Sequence, residues 1–129
     1  MEERKPYPPA TVNNVLERVS RLKPNTVEDR DTARWMIDLD NRLRMELHAP
    51  PCLPRPAAWP EDGDMPLFAS GPYDDLYVYY TVAMIEFYQR EYGNYNNSII
   101  LFNDRCADFR RWYRREHMYV PQRELEGVY

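Results

Sequence analysis

Side chains able to do chemistry are few in this sequence. Two histidines, His48 and His117, and two cysteines, Cys52 and Cys106, are the whole set of imidazole and thiolate metal ligands and of thiol nucleophiles. A structural zinc centre takes four such ligands, so all four would have to converge from distant parts of the chain. No C-x-x-C spacing is present, and two isolated cysteines make no disulfide framework. The carboxylate pairs Asp74/Asp75 and Glu28/Asp29 are the candidates for general acid–base work. Both fall at predicted helix starts, where negative charge meets the positive end of the dipole. His48 and His117 fall at predicted helix C-termini, where the dipole also explains them. Nucleophile elbow, P-loop, dinucleotide fingerprint and H-E-x-x-H are all missing. These residues predict no enzyme, no metal and no cofactor.

Charge gives a stronger signal. Arg105, Arg110, Arg111, Arg114 and Arg115 crowd one predicted helix, with Trp112 and Tyr113 interleaved. Arg110–Arg111 with Arg114–Arg115 form a basic face at i, i+4 spacing. One reading is a contact with phosphate or with an acidic partner. The plainer reading is a solvated face balanced by Asp104, Asp108 and Glu116. The whole chain carries 17 basic and 21 acidic side chains, a net charge of −4, whereas a dedicated nucleic-acid binder shows a basic excess. Asn94, Asn96, Asn97 and Asn103 form a second unusual cluster. Asparagine is poor inside helices unless its side chain has a task. Asn94 reads as a cap, the others as bridges between helices.

The elements that must position these groups are helical, and 129 residues suit one domain. Residues 1–10, with Pro6, Pro8 and Pro9, form an arm. Helices one and two occupy 11–48. Thr11 is the expected cap of the first, and Val12, Val15, Leu16, Val19 and Leu22 share its stripe. Thr26 is the expected cap of the second, which carries Trp35, Leu39, Leu43 and Leu47. Residues 49–72 hold seven prolines among twenty-four positions and read as a loop with a short extended piece at 65–68. It is expected to pack as a flap, with Leu53, Trp59, Leu67 and Phe68 to bury.

Residues 73–116 form a helical hairpin, broken at Gly93. Its first arm runs from Asp74 to about Tyr92 and is apolar or aromatic on nearly every side. Such a helix must be covered all round, and a short chain has little to cover it with. Partner burial is therefore expected, with Tyr77, Tyr88 and Tyr92 as its surface and Trp59 and Phe68 as loop contacts. In the second arm Tyr95, Ile99, Phe102, Cys106, Phe109 and Tyr113 make an inner seam. Residues 117–129 form an extended tail. No run is long and apolar enough to span a bilayer, and the first residues hold no apolar signal core.

Several of these stretches resemble a family. Pro72-Tyr73-Asp74-Asp75-Leu76-Tyr77, Tyr95-Asn96-Asn97-Ser98, Phe102-Asn103 and Tyr113-Arg114-Arg115-Glu116-His117-Met118 are similar to small head–tail connector (adaptor) proteins of tailed phages and prophages. So are Val12-Asn13-Asn14-Val15, Leu22-Lys23-Pro24-Asn25, Arg34-Trp35 and Leu39-Asp40. The likeness covers most of residues 11–118. It implies an all-α, four-helix bundle-like fold and a non-catalytic structural virion protein. It also implies a homo-oligomeric ring, dodecameric by that likeness alone. The ring would join the portal to the tail or next neck ring, with DNA passing through it. Localisation would be the virion neck, after assembly in the host cytoplasm. The proline-rich insert and the segment after Met118 depart from the pattern. The expected interface residues are Tyr77, Tyr88, Tyr92, Arg110, Arg111, Arg114, Arg115, Trp59 and Phe68. The alternative is a small helical nucleic-acid-binding or DNA-packaging factor using the arginine-rich fourth helix.

Overall fold

The computed structural model describes residues 9–117. Most of the expected arm and all of the expected tail beyond His117 lie outside the described residues. The fold is all-α, with four helices: α1 (Val12–Leu22), α2 (Asp29–Glu46), α3 (Asp75–Tyr88) and α4 (Tyr92–His117).

Thr11 caps α1 as its sequence predicts, its hydroxyl accepting from the Asn14 amide at 3.1 Å. Val12, Val15, Leu16 and Val19 turn inward, but Leu22, expected on the same stripe, is 62% exposed at the helix end. Each such side chain is worth about 1.5–3 kcal/mol on burial. The start of α2 differs from expectation. Thr26 stays outside, and Glu28 precedes the helix without a side-chain cap bond. Asn25 instead folds the linker locally, accepting from the Val27 amide and donating to the Lys23 carbonyl.

Two helices end on non-glycine residues in the left-handed region, His48 (φ 57°) and Arg90 (φ 64°). In each, the amide two residues past the cap reaches back to satisfy a free carbonyl: Ala49 to Arg44, and Glu91 to Glu86. This is the Schellman arrangement. Arg90, not Gly93, therefore breaks the hairpin, and α3 ends at Tyr88 rather than near Tyr92. Gly93 and Asn94 belong to the first turn of α4.

α3 is the hub, packing against all three other helices, while the backbones of α1 and α4 do not meet. Leu76, Tyr77, Val78, Thr81, Val82, Ala83, Ile85 and Glu86 of α3 are all buried. The expected excess of apolar surface on this helix is thus largely covered from within, contrary to the sequence reading. A central helix with neighbours on three sides can be apolar all round.

The proline-rich segment packs on the helices, as a flap should. Thr11 and Pro66 form an antiparallel bridge, and Leu67 and Ala69 enter the core. Its other end closes on α1 through Asn13, which donates to Asp64 and accepts from the Trp59 indole. Gly63 leaves room for that contact: a Cβ there would lie 2.5 Å from the Asn13 side chain and push it from its place.

One buried carboxylate joins the segment to α2 and α3. Asp40 Oδ1 accepts from the Tyr77 hydroxyl at 2.7 Å and from the Phe68 amide at 2.8 Å. Asp40 Oδ2 accepts from Arg44 Nε at 2.9 Å. The Tyr77 oxygen accepts in turn from the Ala69 amide at 2.8 Å. Arg44 donates onward to the Pro50 carbonyl and lies over the Phe68 ring. Burial, with the nearby Asp40 charge, holds the Tyr77 phenol well above its ordinary range. Tyr77→Phe leaves the Ala69 amide unpaired and should cost about 1–3 kcal/mol. Asp40→Ala strands Arg44 and two further donors and should cost about 3–5 kcal/mol. Urea unfolding of both variants and the double variant measures these losses, and strictly additive losses would refute a shared network.

Candidate functional site

Most of the exposed large apolar side chains lie on α4 and at the tip of the hairpin, with Leu22 of α1 and Met45 of α2 also open. Of the 26 residues of α4, only Cys106 and Phe109 are buried. At 1.5 Å per residue α4 spans about 39 Å, against about 21 Å for α3. Arg105 of α4 meets Asp75, the first residue of α3, at 3.0 Å. Residues past 105 therefore overhang α3. Phe68 and Tyr73 seat that overhang, their rings 5.2 and 5.8 Å from Phe109, and Phe68 also meets Tyr113 at 4.9 Å.

The half nearer the tip has no such seat. Tyr88 is 71% exposed and Tyr92 52% exposed. Phe87 lies between Tyr92 and Tyr95 in edge-on contacts of 5.6 and 5.2 Å. Further along α4, Ile100 and Leu101 are 56% and 50% exposed. Ile100 and Leu101 escaped the sequence reading, yet their signal was present. Ile99-Ile100-Leu101-Phe102 is a continuous apolar run, and one helix face cannot turn all four inward.

The expected interface residues divide. Tyr88 and Tyr92 are open. Tyr77 is fully buried and is withdrawn as a contact residue, because its ring and hydroxyl are used inside the core. Phe68 is half-buried beneath Arg44, against Phe109 and Tyr113, so it serves the fold first. Trp59 is half-buried. It lines an open groove of about 470 Å³ with Arg30, Arg34 and Ile37 of α2.

The arginines are mostly engaged. Arg110 reaches Glu46 at 2.6 Å and Arg114 reaches the same carboxylate at 3.4 Å. Arg111 pairs with Asp108. Arg105 pairs with Asp75 and, at 3.6 Å, with Asp108. Arg115 is exposed, with no carboxylate partner among the described residues, and borders a polar groove with Pro72, Tyr73 and Trp112. The balancing acids are thus Glu46, Asp75 and Asp108 rather than the expected Asp104 and Glu116. Burial raises the Asp75 carboxyl above its ordinary range even with Arg105 beside it.

Asn96, Asn97 and Asn103 are exposed and do not bridge helices. Asn94 sits inside α4 and donates to Glu91 at 3.0 Å. His117 Nδ1 lies 3.1 Å from the Tyr113 carbonyl, a helix-end contact as expected, while His48 ends α2 through its backbone. Asp74 holds Arg18 of α1 at 3.0 Å. Cys52 and Cys106 are both free, the latter buried. Among the described residues no cluster of His, Cys, Asp and Glu is placed to hold a metal ion. No helix among them is long and apolar enough to cross a membrane. No protein-family model matches this chain, and neither a curated protein nor a solved structure shows significant similarity to it.

The turn carrying Trp59 is itself held by charge. Arg55 clasps Asp62 through two bonds of 2.7 and 2.9 Å, and the Ala58 amide donates to the same carboxylate. The Arg55 bond, then the amide, depress the Asp62 carboxyl from 3.8 to about 2. A depressed carboxylate stabilises the fold above its unfolded value and loses that effect as pH falls through the folded one. Asp62→Asn should therefore flatten the fall in stability between about pH 4 and pH 2. Urea midpoints taken across that window test this, and equal slopes for the two proteins would contradict it.

Proposed function

We propose that this protein is a structural assembly subunit: a head–tail connector of a tailed-phage neck, non-catalytic, ring-forming and portal-binding. One observation supports self-association above the others. A 26-residue helix fully buries only two side chains, and it leaves Tyr92, Ile100 and Leu101 open, with Phe87 and Tyr88 open at the end of α3 beside it. Exposed apolar groups rimmed by polar residues mark interaction sites. The motif likeness supplies the particular assembly. In that setting the ring joins the portal to the tail or next neck ring, in the virion, after assembly in the host cytoplasm. A mildly acidic wall suits DNA that must slide past without being gripped.

The nucleic-acid reading draws less support. Phosphate binding gains affinity by releasing counterions from free cationic groups, and Arg105, Arg110, Arg111 and Arg114 already face carboxylates.

Native mass spectrometry and sedimentation of the full chain, alone and with portal, test the assembly reading. Species larger than the monomer should grow with concentration or appear with portal. Tyr88→Ser with Tyr92→Ser should raise the concentration needed by about tenfold, equivalent to about 1.4 kcal/mol. A chain that stays monomeric throughout and ignores portal overturns the proposal. A salt-sensitive DNA shift lost on Arg111→Glu with Arg115→Glu would favour the nucleic-acid reading instead.

A further inference from the structure

Two grooves meet along the outer side of α2. The one at Trp59 is lined on the helix by Arg30, Asp31, Arg34, Ile37, Asp38 and Asn41. The other, of about 320 Å³, lies between Asn41 and the stretch from Pro51 to Ala57, with Met65 beside it. Asn41, Pro56 and Ala57 belong to both, so the two form one channel between α2 and the proline-rich segment.

The near end of this channel lies beside the end of α4. Arg44 donates to the Pro50 and Pro66 carbonyls, next to Pro51 and Met65 of the channel wall. The Arg44 guanidinium lies over Phe68, and Phe68 packs against Tyr113 at 4.9 Å. Tyr113 stacks on His117, the last described residue. From Arg44 the channel follows α2 back to Arg30, about 21 Å away along the helix. Arg30 and Arg34 are exposed, and neither forms an ion pair among the described residues. Standing one turn apart, their Cβ atoms are about 6 Å from each other. From the near end, the α2 wall presents Asn41, Asp38, Arg34 and Arg30 in turn, with Asp31 at the rim beside Arg30.

The residues that follow His117 run Met118-Tyr119-Val120-Pro121-Gln122-Arg123-Glu124-Leu125-Glu126. Pro121 disfavours helix at and before it. An extended chain advances about 3.3 Å per residue, so these residues can span about 30 Å, more than the channel requires. Their order is apolar, then amide, then basic, then acidic, which complements the wall taken in the same direction. In extended chain Glu124 and Glu126 face one side about 6.6 Å apart, close to the spacing of Arg34 and Arg30.

We propose that segment 118–126 lies in this channel on its own chain, with Arg123 meeting Asp38 and with Glu124 and Glu126 held by Arg34 and Arg30. Ion pairs this exposed are individually weak. A segment tethered at His117 acts at an effective concentration of about millimolar, so weak contacts suffice. The groups that select the segment are on α2, and the stretch from Pro51 to Pro56 only walls its path. The N-terminal arm fits less well. Its acids, Glu2 and Glu3, are adjacent, so in extended chain they point to opposite sides and cannot both face the two arginines. The inference concerns the chain's own fold and stands apart from the assembly reading.

Cys52 is exposed, free and part of the channel wall, which makes it a trap. In the full chain, Val120→Cys should form an intramolecular disulfide with Cys52 under mild oxidation, read as two thiols lost to alkylation in a monomeric band. Cys106 is buried, and burial raises its pKa, which lowers its reactivity. Adding Arg30→Glu with Arg34→Glu, both at exposed positions, should slow bond formation about tenfold. Adding Glu124→Arg with Glu126→Arg to that protein should restore the rate. No disulfide at Val120→Cys, or one whose rate ignores the arginines, overturns the proposal. Linked dimers place the segment on a neighbouring copy and also overturn it. Trapping by Tyr7→Cys in place of Val120→Cys gives the channel to the N-terminal arm and overturns it as well.

Discussion

The carboxylate of Asp40 is the constraint on which the fold turns. A charge so deep in a protein is tolerated only when its oxygens are fully bonded, and here two backbone-fixed elements and an arginine meet that need. The Phe68 amide ties it to the proline-rich segment, the Tyr77 hydroxyl to α3, and Arg44 to its own helix. Proline removes backbone donors, so a segment with many prolines cannot hold itself in a ladder of its own. This one is instead positioned by a few bonds to side chains already fixed by helices. From that position Phe68 and Tyr73 support the overhanging part of α4, and the same placement decides which part of α4 is left open.

Much of this was legible in the residues. The stripe of α1, its Thr11 cap, the helical hairpin, the packing of the proline-rich segment and the extended contact near Leu67 all follow from local rules that tertiary structure did not override. The helix ends were harder. Gly93 looked like the break because glycine most readily takes left-handed backbone, yet Arg90 takes it, with the Glu91 amide returning to Glu86. The Thr26 cap is absent, and the linker is instead turned by Asn25 bonding the Val27 amide and the Lys23 carbonyl.

The interaction surface was harder still to read. Composition announced that apolar surface was in excess, but periodicity alone cannot say which helix becomes the hub. Tyr77 shows why. Nothing in the one-dimensional pattern marks it for a bond with Asp40, thirty-seven residues earlier, and without that bond it resembles any other surface tyrosine. α3 took the central place, and its own uncovered rings are confined to its last turn at Phe87 and Tyr88, with Tyr92, Ile100 and Leu101 open on α4. The arginine run was visible, but Glu46 lies far from it in sequence, so its pairing was not.

The seat under α4 also sets where the chain can change length. Pro51, Cys52, Pro54, Arg55 and Pro56 are exposed, and extra residues among them would bulge into solvent without disturbing the helices. Between Pro66 and Tyr73 there is no such slack. One inserted residue there would reverse the inward and outward alternation that sends Leu67 and Ala69 into the core, and the aromatic rings beneath the far half of α4 would lose their register. Lineages of this fold should therefore drift in size at the first stretch and keep a fixed count along the second.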